Sequence, residues 1–476
     1  MKTEKSLDFG ERSYQMIVRA ELSRGGTGSF SNFASAVSKA GGDHLDIDVV
    51  QSTGDYILRD FTIAARDPKH GEVIVQELKK LADVEIVNVS DVVFLKHLGG
   101  KIAIVPTSEV KTRVDLGQVY TPEVARVCEA IAADPDKSFN LTIRGKMVAV
   151  ISDGSRVLAL GNIGPLAALP VMEGKAMLFQ RFAGVNAFPI CLDTQDTDEI
   201  VNAILAIAPN FGAINLEDIA SPRCYEVEKR LKEKLSIPVF HDDQHGTAIV
   251  VGAAAINAAK YIKKPLSRLK VTAIGTGAAG MACIKMLMDL GVKDIIAFNK
   301  DGAVYKGAPN LTETETWLAD NSNAGMYKGS YKEALKGRDM FFGLSVGDIL
   351  TGDDLKCMNK KAIVFALANP RAEVPPETVP ANVAVLATGS SRYPNQVNNA
   401  LAFPGIFKGA LEARVNQITE EMCIEAARAI AGLIKTRELA ADYIIPTVFD
   451  SRVATTVAEA VKSTAAKSGL NRRALK

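Results

Sequence analysis

Two short acidic clusters, each at the end of an apolar run, are the parts of this sequence best suited to chemistry. One reads Ile214-Asn215-Leu216-Glu217-Asp218-Ile219. The other reads Pro238-Val239-Phe240-His241-Asp242-Asp243-Gln244-His245. Neighbouring carboxylates repel unless they share a cation. If both runs are strands, the carboxylates converge at one sheet edge. Hard oxygen ligands of that kind suit Mg²⁺ or Mn²⁺, with water and substrate oxygens completing the shell. The competing reading makes them helix caps, or partners of Arg223 and Lys229. His241 and His245 have the spacing of zinc ligands on a helix, but the carboxylates around them favour a harder ion.

The second chemical feature is Gly275-Thr276-Gly277-Ala278-Ala279-Gly280. It lies between an apolar run, Lys270 to Ile274, and the helical pattern Met281 to Leu290. A second apolar run follows at Asp294 to Phe298. This is GxGxxG in the strand–turn–helix setting it requires. Gly275 permits the tight turn, Gly277 a close approach of backbone to pyrophosphate, and Gly280 close helix–strand packing. The helix N-terminus offers free N–H groups to the phosphates. NAD enzymes usually place Asp or Glu after the second strand, on the ribose hydroxyls. Here the place reads Asn299-Lys300-Asp301. Asn299 does not repel a 2′-phosphate and Lys300 can pair with one. NAD and NADP both stay open, with a slight lean to NADP.

These groups need elements to position them. Residues 101–259 carry the acidic motifs. From a hinge near Lys263-Lys264-Pro265, strands alternate with helices to about residue 415, and 419–465 is mostly helical and Ala-rich. Ahead of them, 14–90 reads as strand (14–22), helix (29–39), strand (44–51), strand (56–65), helix (71–81) and strand (84–89). That order is the split β-α-β-β-α-β arrangement.

The whole chain has 476 residues, 47% hydrophobic and 23% charged, so it is globular and long enough for two to four domains. A formal net charge of +1 gives no global field favouring nucleic acid or membrane. Residues 1–13 lack the apolar stretch of a signal peptide. The run Gly246 to Ala259 is too short to span a bilayer. The six cysteines are scattered without CxxC and are expected as small buried apolar residues in a reducing cytoplasm.

Several segments resemble motifs of malic enzymes, closest to the shorter prokaryotic type, over roughly residues 110–460. They are Gln118-Val119-Tyr120-Thr121-Pro122-Glu123-Val124-Ala125, the stretch Ser152 to Gly164, Met172-Glu173-Gly174-Lys175-Ala176, both acidic clusters, Phe365 to Pro370, and Asn395 to Gly405. Glu123 departs from the pattern, standing where many relatives have Gly. The turn Arg24-Gly25-Gly26-Thr27-Gly28 and the helix after it resemble the ligand-binding corner of ACT regulatory domains.

The resemblance implies an α/β fold: a Rossmann-like NAD(P)-binding domain and an α/β malic-enzyme catalytic domain, preceded by a small α+β ferredoxin-like (ACT) domain. The expected bounds are 1–98, 99–262 and 263–476. It implies oxidative decarboxylation of L-malate to pyruvate and CO₂ with NAD or NADP and Mg²⁺ or Mn²⁺. By resemblance, Glu217, Asp218 and Asp243 are metal ligands, with Asp242 behind them. Lys175 is the general base and Tyr120 the general acid, while Asn369, Asn399 and Arg156 hold substrate. Gly275 to Gly280, with Asn299 and Lys300, bind the cofactor. Lys175 must be neutral to take a proton, and burial beside a cation favours that form. A cytoplasmic homodimer or larger homo-oligomer, with a small effector at Gly25 to Gly28, completes the expectation. An amino-acid dehydrogenase would share the sheet and the glycine turn but not need the carboxylates. A non-enzymatic metabolite sensor would need neither.

Overall fold

The apolar residues of β1 (Tyr14–Ser23) alternate, so Met16, Val18, Ala20 and Leu22 all reach one buried face. The computed structural model describes residues 14–24 and 28–472. Gly25, Gly26 and Thr27 of the expected effector corner lie outside them. The chain divides into two compact units, one ending at Ala103 and the other beginning at Ile104.

In the first unit, β1 is followed by α1 (Ser29–Lys39), β2 (Asp43–Ser52), β3 (Tyr56–Ala65), α2 (Pro68–Leu78) and β4 (Val84–Asp91). The sheet order is β2-β3-β1-β4, antiparallel throughout, which is the split arrangement. Phe33 of α1 stacks on Phe61 of β3 with ring centroids 3.9 Å apart. Helix α2 starts three residues earlier than the pattern predicts. Asp67 caps it by accepting from the His70 N–H, and Pro68 takes the first turn, where a missing N–H costs nothing.

The second unit opens with α3 (Arg113–Val119) and α4 (Val124–Ala133). A parallel sheet follows: β5 (Met147–Ser152), β6 (Asn186–Cys191), β7 (Ala213–Leu216) and β8 (Val239–His241), in the order β6-β5-β7-β8. Its connections are α5 (Gly164–Ala183), α6 (Thr197–Ile207) and α7 (Arg223–Lys234). On α5 the buried side chains Met172, Ala176, Phe179 and Ala183 recur at helical spacing, and Lys175 sits among them. Phe179 meets Phe403 and Phe407 edge-on, at 4.7 and 5.2 Å. Truncating such a ring to Ala costs about 3–5 kcal/mol.

Helix α8 (Asp242–Tyr261) leaves β8 directly and is buried almost all round. Its Gly and Ala content lets α9 (Ala278–Asp289) approach closely; a Cβ on Gly252 would lie 2.9 Å from Met286 Cγ. The apolar run that was too short for a membrane is therefore the shared core of this unit. Among the described residues, no helix is long and apolar enough to cross a membrane.

The second sheet holds β9 (Lys270–Ile274), β10 (Asp294–Asn299), β11 (Gly302–Ala303), β12 (Met340–Gly343), β13 (Ala362–Ala366) and β14 (Val383–Thr388). Its order is β11-β10-β9-β12-β13-β14, parallel except for β11. That is the doubly wound order, reversing between β9 and β12, where ligands bind. Helix α10 (Glu313–Asn321) lies between β11 and β12 in sequence. Helices α11 (Phe403–Ala413), α12 (Glu420–Gly432) and α13 (Arg452–Lys467) end the chain. The cysteine expectation needs correcting: Cys224, Cys283 and Cys423 are buried, but Cys128 and Cys357 are exposed and Cys191 is partly so.

Candidate active site

Strands β7 and β8 are parallel neighbours, with Leu216 opposite His241, so both acidic clusters leave the sheet on the same edge. Asp218 turns the chain out of β7 with a left-handed φ of 54°, a conformation that Asp tolerates better than most residues. Its N–H donates to Asp243 Oδ2 at 2.8 Å. Carboxylate oxygens of Glu217, Asp218 and Asp243 all lie within 4.8 Å of one another.

Asp242 and Asp243 form the first turn of α8, where the helix dipole favours negative charge. Lys175 reaches them from the middle of α5. Its Nζ lies 2.6 Å from Asp242 Oδ2 and 2.8 Å from Glu217 Oε1, and 4.1 Å from the centre of the Phe403 ring. Asn215 donates to Glu217 Oε2 at 2.9 Å, and Asn399 to Asp242 Oδ2 at 2.6 Å. Gly246 has no room for a side chain, because a Cβ there would sit 1.8 Å from Asp242 Oδ1.

The electrostatics show a deficit of positive charge. Burial, and then mutual repulsion, raises the carboxyl groups of Glu217 and Asp218 above their ordinary range. Burial pushes Asp242 up to about 7, against the pull of Lys175. Burial works against the Lys175 charge as well, but Asp242 and Glu217 outweigh it and hold the ammonium well above its usual range. Asp218 Oδ2 is buried without a hydrogen-bond partner. Three converging carboxylates, one with an orphaned oxygen, fit a hard divalent cation.

Of the two alternative partners, Lys229 is exposed on α7 and Arg223 is engaged elsewhere. Arg223 binds Asp153 Oδ2 at 2.8 Å. Ser155 Oγ donates to Asp153 Oδ1 at 2.6 Å and accepts from the Ala220 N–H at 2.9 Å, fastening the turn after β5 beside the cluster. That turn presents Arg156, whose N–H donates to the Asp218 carbonyl at 3.0 Å. The Arg156 side chain is exposed, and its charge favours ionised Asp218 and Asp243. His245 Nε2 lies 2.9 Å from Glu228 Oε1. His241 is buried, and burial lowers it to about 4, so it is neutral.

The remaining expected residues are more dispersed. Asn369 is exposed, with its amide against Gly389. Tyr120, which terminates α3, is 68% exposed, and no hydrogen bond of its hydroxyl to the Lys175 cluster is found among the described residues.

At the glycine turn, a Cβ on Gly280 would strike the Gly275 carbonyl at 2.1 Å. One on Gly277 would meet nothing, leaving a cradle in front of α9, whose N-terminus no side chain caps. Such a cradle fits a pyrophosphate. Across the crevice, buried Glu373 accepts from the Ser345 N–H at 2.9 Å and the Ala368 N–H at 3.0 Å, tying together the loops after β12 and β13. Sequence reasoning missed Glu373, Glu228 and Glu315. Only Glu315 left a signal, as the last residue of a Thr-x-x-Glu capping box. At the ribose corner Lys300 is exposed, and the Asn299 amide nitrogen donates to Glu315 Oε1 at 3.1 Å.

The sheet order, glycine turn and cradle define an NAD(P)-dependent oxidoreductase of the Rossmann class. The family can be named as well. Residues 99–232 match the malic enzyme N-terminal domain and residues 244–466 the malic enzyme NAD binding domain. The chain belongs to the malic enzyme family. It is 53% identical to a NAD-dependent malic enzyme of Geobacillus stearothermophilus, over 94% of this chain and 93% of the relative. It is 50% identical to a bifunctional malic/malolactic enzyme of Bacillus subtilis, over 78% of this chain and 92% of the relative. Among solved structures, the NAD-dependent malic enzyme of Thermotoga maritima matches with a TM-score of 0.75 and 46% identity, over 78% of this chain and 99% of that one. The lean toward NADP finds no support in these relatives or in the geometry around Asn299.

Proposed function

We propose that this chain converts L-malate to pyruvate and CO₂ while reducing NAD(P), with Mg²⁺ or Mn²⁺ held by Glu217, Asp218 and Asp243. The observation that carries the reading is the buried Lys175 ammonium wedged between Asp242 and Glu217. It joins a proton-transfer group to a cation site through one shared carboxylate. A cation bound there would supply Lewis acidity to the substrate oxygens, and a nicotinamide in the cradle would provide the hydride acceptor for malate C2.

Lys175 takes the proton of the C2 hydroxyl. It does so as the free amine, so the hold of Glu217 and Asp242 on its ammonium must first relax. Asp242, whose Oδ2 lies 2.6 Å from Nζ, is the proton's acceptor in this reading. Asn399 and Asn369 orient malate, and Arg156 sets a positive charge beside the cluster for a substrate carboxylate. After CO₂ leaves, Tyr120 donates a proton to C3 of enolpyruvate.

We also read the chain as a cytoplasmic homodimer or larger homo-oligomer. Ile104, Val105, Val114, Leu116 and Tyr120 are exposed, and a second copy is the natural cover for such apolar side chains. The first unit is read as an ACT-like regulatory module, within working bounds of 1–98, 99–262 and 263–476. Removing residues 1–95 should abolish any effector response; unchanged kinetics and response would argue against the module. The catalytic reading is tested by initial rates with malate, with and without chelator: loss of malate-dependent nicotinamide reduction in chelator is expected, and full turnover there would overturn the reading.

A further inference from the structure

We infer that Glu315 makes this enzyme select NAD over NADP, by fixing a negative charge beside the ribose 2′-position of the bound dinucleotide. The inference rests on the dinucleotide site and not on the malate chemistry.

In doubly wound folds a carboxylate at the end of the second strand binds the ribose hydroxyls. That strand is β10, and it ends on Asn299, which has no charge. The Asn299 oxygen is already taken, accepting from the Asp301 N–H at 2.9 Å. Its nitrogen points to Glu315 Oε1. The same oxygen accepts from Thr276 Oγ1, inside the glycine turn, at 2.6 Å. Glu315 therefore touches both walls of the cofactor corner, the turn after β9 and the tip of β10. The carboxylate missing from the strand is supplied from α10.

Glu315 has an ordinary structural role too. Its Oε2 accepts from the N–H and hydroxyl of Thr312, closing the capping box at the start of α10. Capping uses that one oxygen. The other faces the cofactor corner, and a cap does not need it.

The charge is held firmly. Glu315 is 7% exposed, and among the described residues no Lys or Arg forms a salt bridge with it. Burial disfavours its ionised form, but the hydrogen bonds from Thr276, Thr312 and Asn299 prevail and keep its carboxyl below the ordinary value. The opposing cation, Lys300, is exposed and followed directly by the exposed Asp301. Water screens a mobile surface ammonium, whereas a fixed, poorly solvated carboxylate keeps its field. An uncharged 2′-hydroxyl tolerates that field. A 2′-phosphate meets like charge.

The test is fluorescence titration of the full-length enzyme with NADH and with NADPH, which needs no malate turnover, alongside kcat/KM for both oxidised cofactors. The unsubstituted enzyme should bind NADH more tightly than NADPH by about tenfold or more, as like-charge rejection requires. Glu315→Gln keeps an acceptor for the cap and removes the charge. It should move the ratio toward NADPH by about tenfold while NADH affinity changes far less. Glu315→Asp, which restores the charge, should move the ratio back toward NADH. Equal loss of both affinities in Glu315→Gln would reduce Glu315 to a cap and overturn the inference. So would an unsubstituted enzyme that binds NADPH as tightly as NADH, a result that needs no variant to fold.

Discussion

Lys175 Nζ stands 2.6 Å from Asp242 Oδ2, although 67 positions separate the two residues. One lies in the middle of α5 and the other in the first turn of α8, and both are buried. Neither charge would survive there alone, because an unpaired buried ion costs several kcal/mol. The pair survives because each neutralises the other, with Glu217 as a third member.

Lys175→Ala removes the proposed base and leaves the cofactor cradle alone. Malate oxidation should fall about 10²–10⁴-fold in kcat, the usual range for a general base. NADH binding should be retained. A variant that oxidises malate at the original rate would place the base elsewhere.

Tyr120 raises a different question, because it is exposed and the Lys175 cluster is buried. Tyr120→Phe should slow turnover by about 10²–10⁴-fold. With malate stereospecifically tritiated at C3 and the reaction run in D₂O, its residual pyruvate should carry a racemic chiral methyl group, since enolpyruvate would gain its proton from solvent. Co-expressing Tyr120→Phe with Lys175→Ala adds a further readout. If a second copy supplies Tyr120, mixed dimers recover part of the activity, and separately purified variants do not. Stereospecific protonation by Tyr120→Phe would remove the tyrosine from the mechanism.

Glu228 gives a prediction about stability. His245 and Lys232 each lie within 3.1 Å of its carboxylate, and the His241 N–H donates to it at 3.1 Å. Burial opposes its charge, but the contacts with His245 and Lys232 hold its carboxyl well below the ordinary range. A depressed carboxyl contributes its full stabilisation above its unfolded pKa of about 4.3 and loses it progressively as pH falls from there toward the lower folded value. Glu228→Gln should therefore destabilise the protein by about 3 kcal/mol near neutrality. The gap in Tm from the unsubstituted enzyme should narrow as pH falls below 4. A gap that is constant from pH 7 to pH 3.5 would contradict the assignment.

What could be read from sequence follows from how local each signal is. Glu217-Asp218 and Asp242-Asp243 are adjacent in the chain and end apolar strands, so their convergence needed only two parallel neighbours. The GxGxxG turn carries its own strand and helix. The split sheet of residues 14–91 was legible because apolar residues alternate in β2, through Leu45, Ile47 and Val49, and because Gly41-Gly42 ends the helix before it. Lys175 was different: by periodicity alone it is one polar residue on an apolar helix face, and only the surrounding motif marked it. Glu315 was hidden because its capping-box spacing already explained it, and its contacts to Thr276 and Asn299 span 39 and 16 positions. The two-residue strand β11 left no pattern at all. Cys128 and Cys357 fall on outer faces of surface helices or turns, where the general tendency of cysteine to be buried does not decide the matter.

The most direct test of the account is the initial rate of nicotinamide reduction with L-malate and Mn²⁺, run in parallel with excess EDTA. The account predicts pyruvate and CO₂ formed in step with reduced cofactor when Mn²⁺ is present, and loss of that activity in EDTA with recovery on adding the metal back. Full turnover in EDTA, or no malate-dependent reduction at any metal concentration, would contradict it.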